Sequence, residues 1–249
     1  MKYKITKLLI ILSVVLLFYF VFIIFGVINS YLKPNILITL CCATLYLVTI
    51  FLLVKVFNKT LSNIPISAFV GKHHILAILV SIVFIVFSFF LSTIAVIQFN
   101  FSFQPIDKFF ESSFEFIIVS ISEEFVFRAF LFLSILYLLR NVLFSALFAS
   151  LVFTTIHFYA IDNITHFLWI YSTSMLLTYL YVYTKSIAAP ITFHFLINIL
   201  NENIIAQINN DHLLIVGQII CMISCIFILV FLSRAKINSD HIGNFKYIY

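Results

Sequence analysis

Eight runs of about twenty apolar residues take up most of this chain, and a run of about 20 such residues is what an α-helix needs to cross the hydrocarbon core of a bilayer. The runs cover roughly 8–28, 36–56, 74–98, 112–137, 142–160, 166–184, 187–207 and 213–233. A soluble fold of this size has no interior large enough to hide them. Hydrophobic residues make up 64% of the 249 positions and charged residues 9%, against about 45–50% and about 25% in ordinary soluble domains. The expected fold is therefore all-α: a polytopic membrane helix bundle of about eight transmembrane helices, with no sizeable soluble domain.

The loop charges give the bundle a direction. With the amino terminus in the cytoplasm, the cytoplasmic segments carry Lys2, Lys4, Lys7, Lys55, Lys59, Lys72, Arg140, Lys185, Arg234, Lys236 and Lys246. The outer loops then carry Lys33 and Lys108, and Arg128 lies within a run. Such asymmetry is the positive-inside pattern, and it places both termini in the cytoplasm. It also accounts for the formal charge of +5 without a nucleic-acid partner. The first run follows Lys2, Lys4 and Lys7, as in a signal peptide. It is longer than a signal h-region and lacks a clean cleavage site, so it reads as a retained span. Cys41, Cys42, Cys221 and Cys225 lie in apolar runs without metal-ligand or disulfide spacing and read as small core residues.

Ionisable residues inside such runs are costly, about 2.5–3.5 kcal/mol each on insertion scales, and they face a cavity or a partner rather than lipid. The fourth run holds Glu123, Glu124 and Arg128 in SEEFVFR. Glu124 and Arg128 are i and i+4, share a helical face and can pair. Glu123 is i+5 from Arg128, roughly 140° around a 3.6-residue helix. It has no cation on its own helix, which leaves it available to take a proton as a general base. A buried charge network that merely ties helices together fits these three residues as well.

Two more polar pairs follow at the same spacing. Phe153 and His157 are i and i+4 in the fifth run, after Ser145, Ala146, Ala149 and Ser150, whose small side chains permit close helix packing. Glu123 lies 17 residues before the turn at Arg140 and His157 lies 17 after it, so an antiparallel hairpin puts them at one depth. His194 and Asn198 form the third pair, in the seventh run, one turn after Pro190. A histidine there stands near a helix amino end, where developing negative charge is favoured. Counted from Lys185, His194 is nine residues in, which makes it shallower than the other two unless the seventh helix starts below the surface or the hairpin at Arg140 protrudes. Interhelical hydrogen bonding alone would also explain His157, His194 and Asn198. The fourth, fifth and seventh runs break the apolar rule in this way; the other five read as lipid-facing scaffold.

The ordered triplet resembles the CPBP family of intramembrane proteases, which includes the CAAX prenyl endoproteases and the bacterial Abi proteins. The family pattern is EExxxR, FxxxH, then HxxxN or HxxxD. Here it reads Glu123-Glu124-x-x-x-Arg128, Phe153-x-x-x-His157 and His194-x-x-x-Asn198. The resemblance covers about 112–205, between amino-terminal helices and connections (1–111) and a last span with its tail (206–249). It implies an endopeptidase in which Glu123 and His157 activate a water, His194 and Asn198 stabilise the oxyanion, and Glu124 and Arg128 orient the first group. No cofactor is expected. Were zinc used, Glu123, His157 and His194 would be its ligands, but the HExxH spacing of zinc peptidases is missing. The implied partners are the lipid bilayer and a membrane-associated peptide or protein substrate. The Ile, Phe, Lys and Asn richness suggests an AT-rich bacterial genome, hence a plasma-membrane protein of bacteriocin immunity or peptide maturation acting on an unprenylated substrate. A non-proteolytic immunity or interaction protein, or a small ion-coupled transporter, would use the same polar stripes differently.

Overall fold

The structure, a computed structural model, describes residues 101–103, 105–158, 161, 163–184 and 186–206, together with positions 6, 9–11, 13–18, 20, 23, 24, 44, 48, 52, 79 and 82. The expected spans 36–56 (but for three positions), 74–98 (but for two) and 213–233, the four cysteines and both termini lie outside the described residues.

The described elements are a short strand β1 (Phe101–Phe103), helix α1 (Ile106–Glu124), a π-helical stretch (Phe125–Phe132), α2 (Leu133–Leu139), α3 (Val142–Ile156), α4 (Ile164–Thr184), α5 (Ala188–Asn203) and strand β2 (Ile204–Ala206). Helices thus stand where the fourth to seventh runs predict them. The β1–β2 ribbon was not expected. It is antiparallel, with Phe103 opposite Ile204, and joins the start of α1 to the end of α5. The two helices accordingly run antiparallel and pack against each other, α3 packs on α4, and α4 on α5.

The fourth run is continuous helix from Ile106 to Leu139, but not uniform α-helix. Its π stretch begins directly after Glu124, so the 3.6-residue period fails there, and π geometry brings residues five apart closer to one face. The run ends in a tight turn. Arg140 adopts the left-handed conformation (φ 58°, ψ 26°), and its N–H closes α2 on the Leu136 carbonyl at 2.8 Å. Asn141 then caps α3, its Oδ1 accepting from the Phe144 N–H at 2.9 Å.

Among the described residues no helix is long and apolar enough to cross a membrane. Two local causes are visible. Helix α1 includes Asp107, Lys108, Glu111, Glu115, Glu123 and Glu124, and α3 has only 15 residues. The core lies between the π stretch, α3 and α4, around Phe127, Leu131, Phe132, Ala146, Ala149, Phe153 and Met175. Ile11, Val15 and Phe18, spaced as one helical face, are buried in the same cluster. The first run therefore also packs inward and is not scaffold alone.

Candidate active site

The site forms where α1 passes into the π stretch and meets the end of α3 and the second turn of α5. Glu124 and Arg128 are fully buried and paired, Arg128 Nη1 donating to Glu124 Oε1 at 2.9 Å. The same Oε1 accepts from His194 Nδ1 at 2.8 Å. One carboxylate oxygen thus ties α1, the π stretch and α5 together. The hydrogen bond that Glu124 makes with His194 is possible because Glu124 lies on the face of α1 that packs on α5.

Glu123 lies on the neighbouring face, 6% exposed. Its Oε2 has His157 Nε2 at 3.6 Å and His194 Nε2 at 3.9 Å. Sequence spacing left Glu123 without a partner on its own helix; two histidines from other helices stand opposite it. His157 closes α3 as its C-cap, and its Nδ1 donates to the Phe153 carbonyl at 2.7 Å. Both rings therefore spend Nδ1–H on an acceptor, and each aims Nε2 at the same oxygen of Glu123. The separations exceed hydrogen-bond length. Among the described residues Glu123 Oε2 has no hydrogen bond.

The connections on either side of the site differ in burial. The α4–α5 link is buried: Thr184, Ser186 and Ile187 are covered, and Thr184 Oγ1 donates to the Leu180 carbonyl at 2.7 Å. Arg140 and Asn141 at the other turn are exposed. The start of the seventh helix is covered by protein, and the Arg140 turn is not. His194 is the seventh residue of α5, past the first turn, where the helix dipole has largely faded.

Phe153 is the floor of the site. Its ring lies 4.4 Å from the His157 ring, 6.1 Å from that of His194 and 5.0 Å from that of Phe127, and the Arg128 guanidinium sits 4.7 Å over its face. Ser145, Ala146, Ala149 and Ser150 are buried on α3, as their size requires for this close approach. Asn198 is half-buried one turn beyond His194 and makes no side-chain hydrogen bond among the described residues.

Sequence reading passed over Ser174. From α4, taken as scaffold, its carbonyl and Oγ accept from Arg128 Nη2 at 3.2 and 3.0 Å. A usable signal was present: a buried guanidinium carries five donors and needs more acceptors than one carboxylate provides, and Ser172-Thr173-Ser174 is the densest hydroxyl cluster of the sixth run.

Glu123, His157 and His194 do not form a metal shell as they stand. Among the described residues no group of three or more His, Cys, Asp or Glu side chains is set to hold a metal ion. The zinc alternative gains no support from the geometry, and no chemical step is derived through it.

Comparison with known families decides the relationship. Residues 105–200 match the model of the Rce1-like family, type II CAAX prenyl endopeptidase. The segment is similar to an Rce1-like domain. This bears out the resemblance carried by the three polar pairs, all of which lie inside the match. No curated protein and no solved structure matches the chain. The matched segment begins two residues after β1 and ends four before β2, so the ribbon brackets it.

Proposed function

We propose that the chain is an intramembrane endopeptidase that hydrolyses a peptide bond with a water activated by Glu123 and His157. The observation that carries this reading is the convergence of His157 Nε2 and His194 Nε2 on Glu123 Oε2, in a buried site inside the segment similar to an Rce1-like domain. With Nδ1–H committed in both rings, each neutral ring offers a bare Nε2 to an oxygen that is also an acceptor. Three acceptors facing one another are satisfied by a water that donates two hydrogens and by one shared proton.

In the reaction the water oxygen attacks the scissile carbonyl carbon, and the carbonyl π pair moves onto its oxygen. The water proton passes to Glu123. His194, carrying the shared proton, and Asn198 donate to the oxyanion. The C–N bond then breaks as the leaving nitrogen takes the proton from Glu123, which restores the carboxylate and releases an amine and a carboxylic acid. Glu124 and Arg128 hold His194 in place throughout.

The surface supports a bilayer setting. Leu143, Phe144, Leu147 and Leu151 are exposed along α3, as are Phe109, Phe110, Phe114 and Ile117 along α1, while Glu123, Glu124, Arg128 and His194 are buried. Apolar stripes outside and ionisable groups inside suit a lipid-facing bundle. In this reading about eight spans cross the plasma membrane with both termini cytoplasmic. The substrate is a membrane-associated peptide or a transmembrane segment, and the cellular role is bacteriocin immunity or peptide maturation. A prenylated peptide, named in the family description, is the competing substrate class.

The test uses the purified chain in proteoliposomes with randomised internally quenched peptide pools, unmodified and farnesylated, in H2(18)O. Cleavage that places one heavy oxygen in the new carboxylate, undiminished by a strong chelator, is the expected result. Cleavage of neither pool, together with a cellular phenotype that survives Glu123→Gln, would replace this reading with that of a non-proteolytic membrane partner.

A further inference from the structure

Ser120 is fully buried, and its Oγ has no hydrogen bond among the described residues. The neighbouring hydroxyls behave differently. Ser113 Oγ donates to the Phe109 carbonyl at 2.6 Å and Ser122 Oγ to the Ile118 carbonyl at 2.6 Å, the usual refuge of serine inside a helix. A buried hydroxyl that forgoes this bond needs another partner.

The helix register says where Ser120 faces. Helices α1 and α5 are antiparallel, and Glu124 meets His194 across their interface. One turn back along α1 from Glu124 is Ser120; one turn forward along α5 from His194 is Asn198. Residues four apart share a helical face, so Ser120 and Asn198 occupy the same level of that interface. Asn198 likewise has no side-chain hydrogen bond among the described residues. Ser120 also precedes Glu123 by three residues, so the level adjoins the Glu123 oxygen that the two histidines face.

We infer that Ser120 is a catalytic hydrogen-bond donor which, beside Asn198, binds the scissile carbonyl oxygen of an extended peptide as that oxygen becomes negative. The inference rests on the endopeptidase reading and adds a group outside the three polar pairs. The Ser120 hydroxyl keeps its proton; it stabilises the oxygen on which the carbonyl π pair collects, and releases it when the C–N bond breaks.

The experiment compares wild type, Ser120→Ala, Ser120→Thr and Ser134→Ala in proteoliposomes on the unmodified and farnesylated peptide pools. Ser134 is another buried hydroxyl without a hydrogen bond among the described residues, ten residues past Glu124 and outside the site. The expected result is a kcat about a hundredfold lower in Ser120→Ala with KM unchanged, recovery in Ser120→Thr, and wild-type kinetics in Ser134→Ala. Equal thermal midpoints show that the variants are folded. A Ser120→Ala kcat within twofold of wild type, a rise in KM alone, or a loss that threonine does not restore each overturns the inference and leaves the endopeptidase reading standing. A wild-type chain that cleaves neither pool removes that reading and this inference with it.

Discussion

Glu124 and His194, 70 residues apart in the chain, are joined by a 2.8 Å hydrogen bond from the imidazole Nδ1 to the carboxylate Oε1 that also holds Arg128. This shared oxygen fixes the tautomer of His194 and so decides that its Nε2 is the atom presented to Glu123. It also makes the buried charge pair and the proposed catalytic group one mechanical unit.

The unit has a consequence for stability. Removing one member of a buried ion pair strands the other charge, at about 3–5 kcal/mol, whereas replacing both is far less costly. Glu124→Gln should therefore lower the unfolding midpoint in detergent sharply. The double variant Glu124→Gln with Arg128→Met should recover much of that loss. Additive losses in the double-mutant cycle would show the pair to be uncoupled.

Ser174 gives a second test. Its hydroxyl is 3.0 Å from Arg128 Nη2, and a hydrogen bond to a charged group contributes about 1.5–3 kcal/mol. Ser174→Ala should lose stability in that range, and Ser174→Thr should keep most of it. Because Ser174 acts through Arg128 and Glu124, the Nδ1 resonance of His194 in (15)N-histidine spectra should also shift in Ser174→Ala and return in Ser174→Thr. An unmoved resonance would confine Ser174 to packing.

Phe153 links two parts of the site, with its ring 4.4 Å from that of His157 and 4.7 Å from the Arg128 guanidinium. Phe153→Ala should cost about 3–5 kcal/mol by opening a cavity in the core. Phe153→Tyr keeps the ring and should remain folded. Phe153→Leu keeps most of the volume but loses the aromatic face under Arg128, worth about 0.5–2 kcal/mol. Thermal unfolding of the three variants in one detergent checks the order Tyr, Leu, Ala.

The legible part of this protein was what local periodicity encodes. Charged and imidazole groups at i, i+4 stand out in apolar runs because burying them is costly, so Glu124–Arg128, Phe153–His157 and His194–Asn198 could be paired within each helix from spacing alone. The helices 142–156 and 164–184 followed from the same apolar runs. What stayed hidden depends on tertiary contact. Ser174 is one hydroxyl among several on α4, and only the position of Arg128 singles it out. Ser120 resembles Ser113 and Ser122 until its missing back-bond is seen. The π stretch has no marker in FVFRAFLF, and the burial of the α4–α5 link depends on what packs over it. The ribbon of β1 and β2 joins segments about 100 residues apart, beyond the reach of any local pattern.

The most direct test of water activation by Glu123 is the cleavage rate of Glu123→Gln against wild type, in proteoliposomes, at matched protein level and matched unfolding midpoint. Glutamine keeps the shape of the side chain and cannot take the water's proton, so kcat should fall by at least about 10²–10⁴-fold. Cleavage by Glu123→Gln at a rate near wild type would contradict it.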